Sequence, residues 1–214
     1  DNWKALTGRP ITEGYGLSET APLLSIVPMG VGKFTGSCGL PVSSTDIRLL
    51  DEDDNEVAIG ARGEICAAGP QVMAGYWNKP DQNEEVFVDG FLRTGDVAQI
   101  DEDGYIKIVD RIKDMIAVGG FKVFPSQVEE VLYKHDAVKE ALVIGVPDDY
   151  RGESPKAYVA LEDDHNVSGE ELMAWLNPQL GKHERVVDVV VRDDLPKTMI
   201  GKLDRKALRA EELG

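Results

Sequence analysis

Cysteine is scarce in this chain: Cys38 and Cys66 stand alone in 214 residues, without a CxxC spacing or paired histidine ligands. Neither a disulfide framework nor a zinc site is indicated, and a reducing, cytoplasmic setting is expected. Positive charge is also short. Lys+Arg 23 against Asp+Glu 39 gives a formal net charge of -16, which argues against nucleic acid as a partner, because phosphate binding needs a basic surface. No apolar run is long enough to span a bilayer, and no basic-then-apolar leader occurs. The first residue is Asp1, not Met, so the sequence is expected to be a piece of a longer polypeptide.

What is present points to an α+β chain. Hydrophobic residues make up 42%, enough for a real core. The acidic runs 51–54 and 101–103 read as solvated turns, since clustered carboxylates repel. "SSTDIRLL" and "ARGEICAAG" read as strands, "NKPDQNEEVF" as a short helix, and "DGFLRTGDVAQIDEDGYIKIVD" as a hairpin closed at Asp103-Gly104. Residues 1–110 are therefore expected to form a small β-rich subdomain. Beyond them, "MIAVGGFKVF" reads as a hairpin around Gly119-Gly120, and Ser126 with Glu129 and Ser168 with Glu171 have capping-box spacing. "EALVIGV" and "KAYVAL" read as strands around a polar loop from Pro147 to Pro155, "RVVDVVV" as a last strand, and Leu203 onward as helix. The expectation for 111–214 is a compact α+β domain with a small sheet and about three helices.

Several stretches carry chemistry. "EGYGLSET" (Glu13 to Thr20) sets Tyr15 between Gly14 and Gly16 and follows it with Ser18 and Glu19. Such a loop can stack a flat base, bring backbone close to a ligand, and hold phosphate and a hard cation. In "FLRTGD", Asp96 is suited to two vicinal ribose hydroxyls, with Arg111 of "DRIKD" as a second contact. His135, His165 and His183 lack ligand spacing, Trp77, Trp175 and Met173 read as packing residues, and the cysteines as small inert hydrophobes.

These stretches, with "ARGEICAAGPQVMAGYWNKP", "DRIKDMIAVGGFKVFPSQVEE" and "LPKTMIGKLDRKALR", stand in the order and spacing of the AMP-forming adenylating enzymes. The sequence resembles most the bacterial medium- and long-chain fatty acyl-CoA ligases, over nearly its whole length. The resemblance implies that Glu13, Gly14, Tyr15 and Gly16 line the adenine, that Ser18 meets the adenylate phosphate, and that Glu19 helps hold Mg2+. It implies further that Asp96 binds the ribose, with Arg111 and Ile108 beside it, and that Lys113 is the hinge of a mobile C-terminal domain. Gly119, Gly120 and Phe121 would line the CoA tunnel. Lys202 would bridge the acid carboxylate and the α-phosphate, where an ammonium offsets charge between two anions.

The implied reaction joins a fatty acid to CoA through acyl-AMP, consuming ATP. A family member also has a Ser/Thr/Gly-rich, lysine-ending phosphate loop, and no stretch here resembles it, so the chain is expected to be inactive alone. Two other readings remain at this stage: adenylation with a carrier-protein or other acceptor, and a non-catalytic module binding AMP or a partner protein. Any membrane contact would be peripheral.

Overall fold

Alternating apolar residues punctuated by Asp and Gly turns build mainly antiparallel ladders in both halves of the chain, seen in a computed structural model that describes residues 2–31 and 36–214. The chain divides into two compact units, Asp1–Ile112 and Lys113–Gly214.

In the first unit, α1 (Asn2–Thr7) precedes three short strands, β1 (Gly14–Gly16), β2 (Leu23–Ile26) and β3 (Leu40–Pro41), which form one antiparallel sheet in that order. Five further strands make a second sheet: β4 (Asp46–Leu50), β5 (Arg62–Ala68), then after α2 (Pro80–Val86) β6 (Phe87–Val88), β7 (Phe91–Ile100) and β8 (Ile106–Arg111). Successive side chains of a strand face opposite ways. Ile65 thus packs with Leu49, Ala98 and Ile106, whereas its neighbour Cys66 packs with Leu50 and Phe91. The acidic runs close the turns: Asp51 Oδ1 accepts from the amides of Asp53 and Asn55, each at 2.9 Å, and Asp101 Oδ1 accepts from Asp103 and Tyr105 in the same way. Each carboxylate mimics a turn carbonyl. Trp77 departs from the packing expected of it, being 89% exposed, because the loop that carries it is held by its neighbour Tyr76.

The second unit runs β9 (Ile116–Val118), β10 (Phe121–Val123), α3 (Pro125–Leu132), β11 (Val138–Asp148), β12 (Gly152–Leu161), α4 (Gly169–Leu176), β13 (Asp188–Arg192) and α5 (Arg205–Leu213). The order matches the expectation for this part of the chain. β12 is central, antiparallel to β11 and parallel to β13, so α4 makes the crossover that a parallel pair requires. Alternation along β11 separates two cores. Ala141 and Val143 face the α3 and α4 side with Val128, Leu132, Leu172 and Leu176, and Leu142 and Ile144 face Leu195 and Leu208.

Local details correct the sequence reading. Ser168 does cap α4, accepting from the Glu171 amide while Glu171 accepts from the Ser168 amide. Ser126 does not cap α3. Pro125, already at the first helical position, moves the cap to Phe124, and Glu129 serves β11 instead. Its Oε1 accepts from the Val143 amide at 2.7 Å and from Arg205 Nη2 at 2.6 Å, while Arg205 Nε donates to the Val143 carbonyl at 3.0 Å. The Tyr133 hydroxyl accepts from the Ala141 amide at 3.2 Å. Side chains of α3 and α5 therefore satisfy backbone groups of β11 that no strand pairs. The Pro147–Pro155 stretch is mostly ladder, since β11 and β12 extend to Asp148 and Gly152. The last strand begins at Asp188 and the last helix at Arg205.

Candidate functional site

Unit one gathers most of the nucleotide-site candidates at one end of the β7–β8 hairpin. Register places Asp96 opposite Arg111 and Ala98 opposite Ile108. β1 brings Tyr15 to the same place: its hydroxyl donates to Asp96 Oδ2 at 2.6 Å, and its ring, like the Ile108 side chain, packs against the Ile65 cluster. Burial first, and the Asp96 hydrogen bond second, push the Tyr15 ionisation far above the usual tyrosine range. Tyr15 is therefore a neutral donor fixed on a carboxylate. Thr94 completes the mount; its Oγ1 accepts from the Asp96 amide at 3.2 Å and donates to the Ile65 carbonyl at 2.9 Å. Nothing in the sequence marked Thr94 beyond its place beside Gly95.

The glycines of this loop have separate reasons. A Cβ on Gly16 would lie 1.6 Å from the Pro22 carbonyl oxygen, so the β1–β2 pairing itself demands glycine there. At Gly14 the approach is looser, with the Ser25 carbonyl oxygen at 3.1 Å. Glu13 is half-buried and its carbonyl accepts from the Val27 amide at 2.8 Å. Ser18 is exposed, whereas Thr20 is buried and its hydroxyl accepts from the Leu17 amide at 3.0 Å.

Glu19, on the short turn after β1, is half-buried, and its Oε1 accepts from the Tyr76 hydroxyl at 2.8 Å. That bond raises the ionisation of Tyr76. Sequence reasoning missed Tyr76, and no local spacing could have found it, because 57 residues separate the pair. Among the described residues no three His, Cys, Asp or Glu side chains could hold a metal. A single carboxylate nevertheless fits Mg2+, which is usually held by one or two carboxylates together with substrate phosphates. Cys66 is fully buried, and burial pushes its thiol up to about 12, so it is inert.

Unit two carries the remaining candidates. Lys113 is exposed in the short turn Ile112–Asp114. Gly119 and Gly120 turn the β9–β10 hairpin with φ of 57° and 84°, and a Cβ on either would meet only open space. Backbone conformation is thus why glycine stands there. Phe121 is 55% exposed and stacks on His183 with centroids 3.8 Å apart. His135 likewise packs edge-on against Trp175 with centroids 4.8 Å apart, so both histidines have aromatic neighbours.

Lys202 ends a tight loop. Lys197 bridges Leu203, the Thr198 amide donates to the Lys202 carbonyl at 2.7 Å, and the Lys202 amide donates to Thr198 Oγ1 at 3.2 Å. Gly201, with φ of 78°, makes the bend. The lysine backbone is held and its side chain is exposed. Leu195 on one side and Leu208 on the other anchor the loop in the core beneath.

The chain thus sets Asp96, held by Tyr15 and Thr94, in one unit and Lys202, on a backbone-held turn, in the other. Two family models match it: that of AMP-binding enzymes over residues 1–77, and that of the AMP-binding enzyme C-terminal domain over residues 127–202. The chain belongs to the AMP-binding enzyme family. It is 45% identical over 214 residues to the long-chain-fatty-acid–CoA ligase of Salmonella typhimurium, and 41% identical over 203 residues to a feruloyl-CoA synthase of an Amycolatopsis species. All of the chain takes part in the first match and 94% in the second, against 38% and 41% of those proteins. The chain thus spans well under half the length of these relatives. ATP-bound MatB from Rhodopseudomonas palustris shares its fold, with a TM-score of 0.91 and 34% identity over 98% of this chain and 42% of that one.

Proposed function

We propose that this chain is the C-terminal portion of an AMP-forming acyl-CoA ligase for long- or medium-chain fatty acids. The observation that carries the reading is 45% identity, running along the whole chain, to a long-chain-fatty-acid–CoA ligase. In the first half-reaction a carboxylate oxygen attacks the α-phosphorus of ATP, pyrophosphate leaves, and acyl-AMP forms. In the second, the CoA thiol loses its proton and attacks the acyl carbon, and AMP leaves.

Asp96, oriented by Tyr15 and Thr94, accepts from the ribose hydroxyls, with Arg111 and Ile108 beside the nucleoside. Glu13, Gly14, Tyr15 and Gly16 border the adenine, and Ser18 donates to the α-phosphate. Glu19 is the residue that would hold Mg2+, which when bound supplies positive charge against the phosphates. Lys202 donates between the carboxylate and the α-phosphate as negative charge gathers there. Lys113 serves as hinge, and Gly119, Gly120 and Phe121 border the pantetheine arm of CoA. Lys202 and the glycine hairpin belong to the same unit but to different half-reactions, so that unit presents them in turn.

The test is pyrophosphate release by the complete polypeptide, with ATP, Mg2+ and a panel of fatty and aryl acids; the aryl acids are included because of the feruloyl-CoA synthase match. Release that depends on a fatty acid, followed by CoA-dependent thioester formation, is the expected result. Release with aryl acids alone would overturn the fatty-acid assignment, and release with no acid would overturn the ligase.

A further inference from the structure

The contact between Glu19 and Tyr76 is fixed from both ends. The Glu19 carbonyl accepts from the Met73 amide at 2.8 Å, which sets the Glu19 backbone beside the loop that carries Tyr76. That loop is clamped in turn to α2. Asn83 Oδ1 accepts from the Tyr76 amide at 2.7 Å, and Asn83 Nδ2 donates to the Tyr76 carbonyl at 3.1 Å. Gly75, with φ of 140°, lies so close to Asn83 that a Cβ would sit 2.9 Å from its Nδ2. The Tyr76 hydroxyl is thereby delivered to Glu19 Oε1. Among the described residues, no other hydrogen bond reaches the Glu19 carboxylate.

We propose that Tyr76 is a positioning residue that restricts Glu19 to ligation through a single oxygen, and that it thereby favours Mg2+ over Ca2+ at the nucleotide. The inference rests on Glu19 being the cation-holding residue. Mg2+ demands near-octahedral geometry at short distance and takes one oxygen from a carboxylate. Ca2+ is larger, accepts six to eight oxygens, and readily takes both oxygens of one carboxylate. With Oε1 occupied by the Tyr76 hydroxyl, Oε2 is the oxygen left for a cation. Two-oxygen chelation then has to weaken or displace a hydrogen bond that two clamps hold in place, and that cost falls on Ca2+ and not on Mg2+. Outer partners of this kind commonly carry a tenfold or larger effect on metal affinity.

The experiment uses the complete protein and an ATP analogue whose α–β bridging oxygen is replaced by carbon, so that no turnover is needed. Calorimetry gives the Kd of its Mg2+ and Ca2+ complexes and of the metal-free analogue. Tyr76→Phe is expected to shrink the Ca2+-to-Mg2+ Kd ratio by about tenfold, with metal-free binding and thermal melting unchanged. Asn83→Ala, which frees the loop but keeps both hydroxyl and carboxylate, should move the ratio in the same direction by less. An unchanged ratio in both variants, with metal dependence lost in Glu19→Gln, overturns the role of Tyr76 and leaves Glu19 standing. Metal dependence that survives in Glu19→Gln overturns the reading of Glu19, and the proposal with it.

Discussion

The Tyr15 hydroxyl donates to Asp96 Oδ2 at 2.6 Å, a bond that spans 81 residues and joins β1 to β7. Because the acceptor is a carboxylate, the bond both strengthens and orients it. Tyr15→Phe in the complete protein is expected to weaken AMP binding by about tenfold, the scale of one hydrogen bond to a charged group. Binding of 2′-deoxy-AMP should fall less. Equal losses for both nucleotides would mean that Tyr15 does not orient Asp96 toward the ribose.

Two glycines that look alike in sequence should behave differently. Gly16→Ala forces a Cβ to within 1.6 Å of the Pro22 carbonyl oxygen, and the strand pair must open, at a cost of about 3 kcal/mol. Gly119→Ala meets open space but keeps a left-handed φ of 57°, at a cost of about 1 kcal/mol. Denaturant unfolding of the two variants tests the order, and equal losses would contradict it.

Glu129, with its side chain 12% exposed, neutralises Arg205 and also accepts from the Val143 amide. Glu129→Ala leaves a buried amide and a half-paired guanidinium, and should cost about 3 kcal/mol in stability. A loss below about 1 kcal/mol would show that Asp114, 3.2 Å from Arg205 Nη1, suffices as the partner.

Asp148 closes the β11–β12 turn. The Ser154 hydroxyl, then the amides of Arg151 and Tyr150, hold its carboxyl below the usual carboxylate range. A depressed folded value means that the stabilisation is present above the ordinary carboxylate pKa of about 4, and is lost as pH falls through the lower folded value. Asp148→Asn should therefore melt below the parent at pH 7 and converge with it in acid. A gap that stays constant with pH would contradict this.

Local rules of the sequence reached a good part of this structure. The Gly119-Gly120 hairpin, the Ser168 cap and the strand and helix order of the second unit follow from turn chemistry and periodicity over a few residues. The cap of α3 escaped because Pro125 displaced it and Glu129 found partners at Val143 and Arg205, the latter 76 residues away. Asp96 and Tyr15 stand out within their motifs, but the bond between them joins strands of two different sheets and has no local signal. Tyr76 had no local signal at all, since only the Asn83 clamp on its loop brings it to Glu19. Trp77 was misjudged for the same reason, because an aromatic residue in a glycine loop packs only where the loop allows.

Lys202 is proposed to act in the first half-reaction. The direct measurement is pyrophosphate release by the complete protein with ATP, Mg2+ and a fatty acid, compared with its Lys202→Ala variant. A parallel assay follows thioester formation from supplied acyl-AMP and CoA. Loss of an ammonium that stabilises the transition state should lower adenylation by a hundredfold or more, the scale of removing one such donor, while thioester formation continues. Adenylation at the parental rate in Lys202→Ala would exclude that role and leave Lys202 as an exposed lysine on a tight turn.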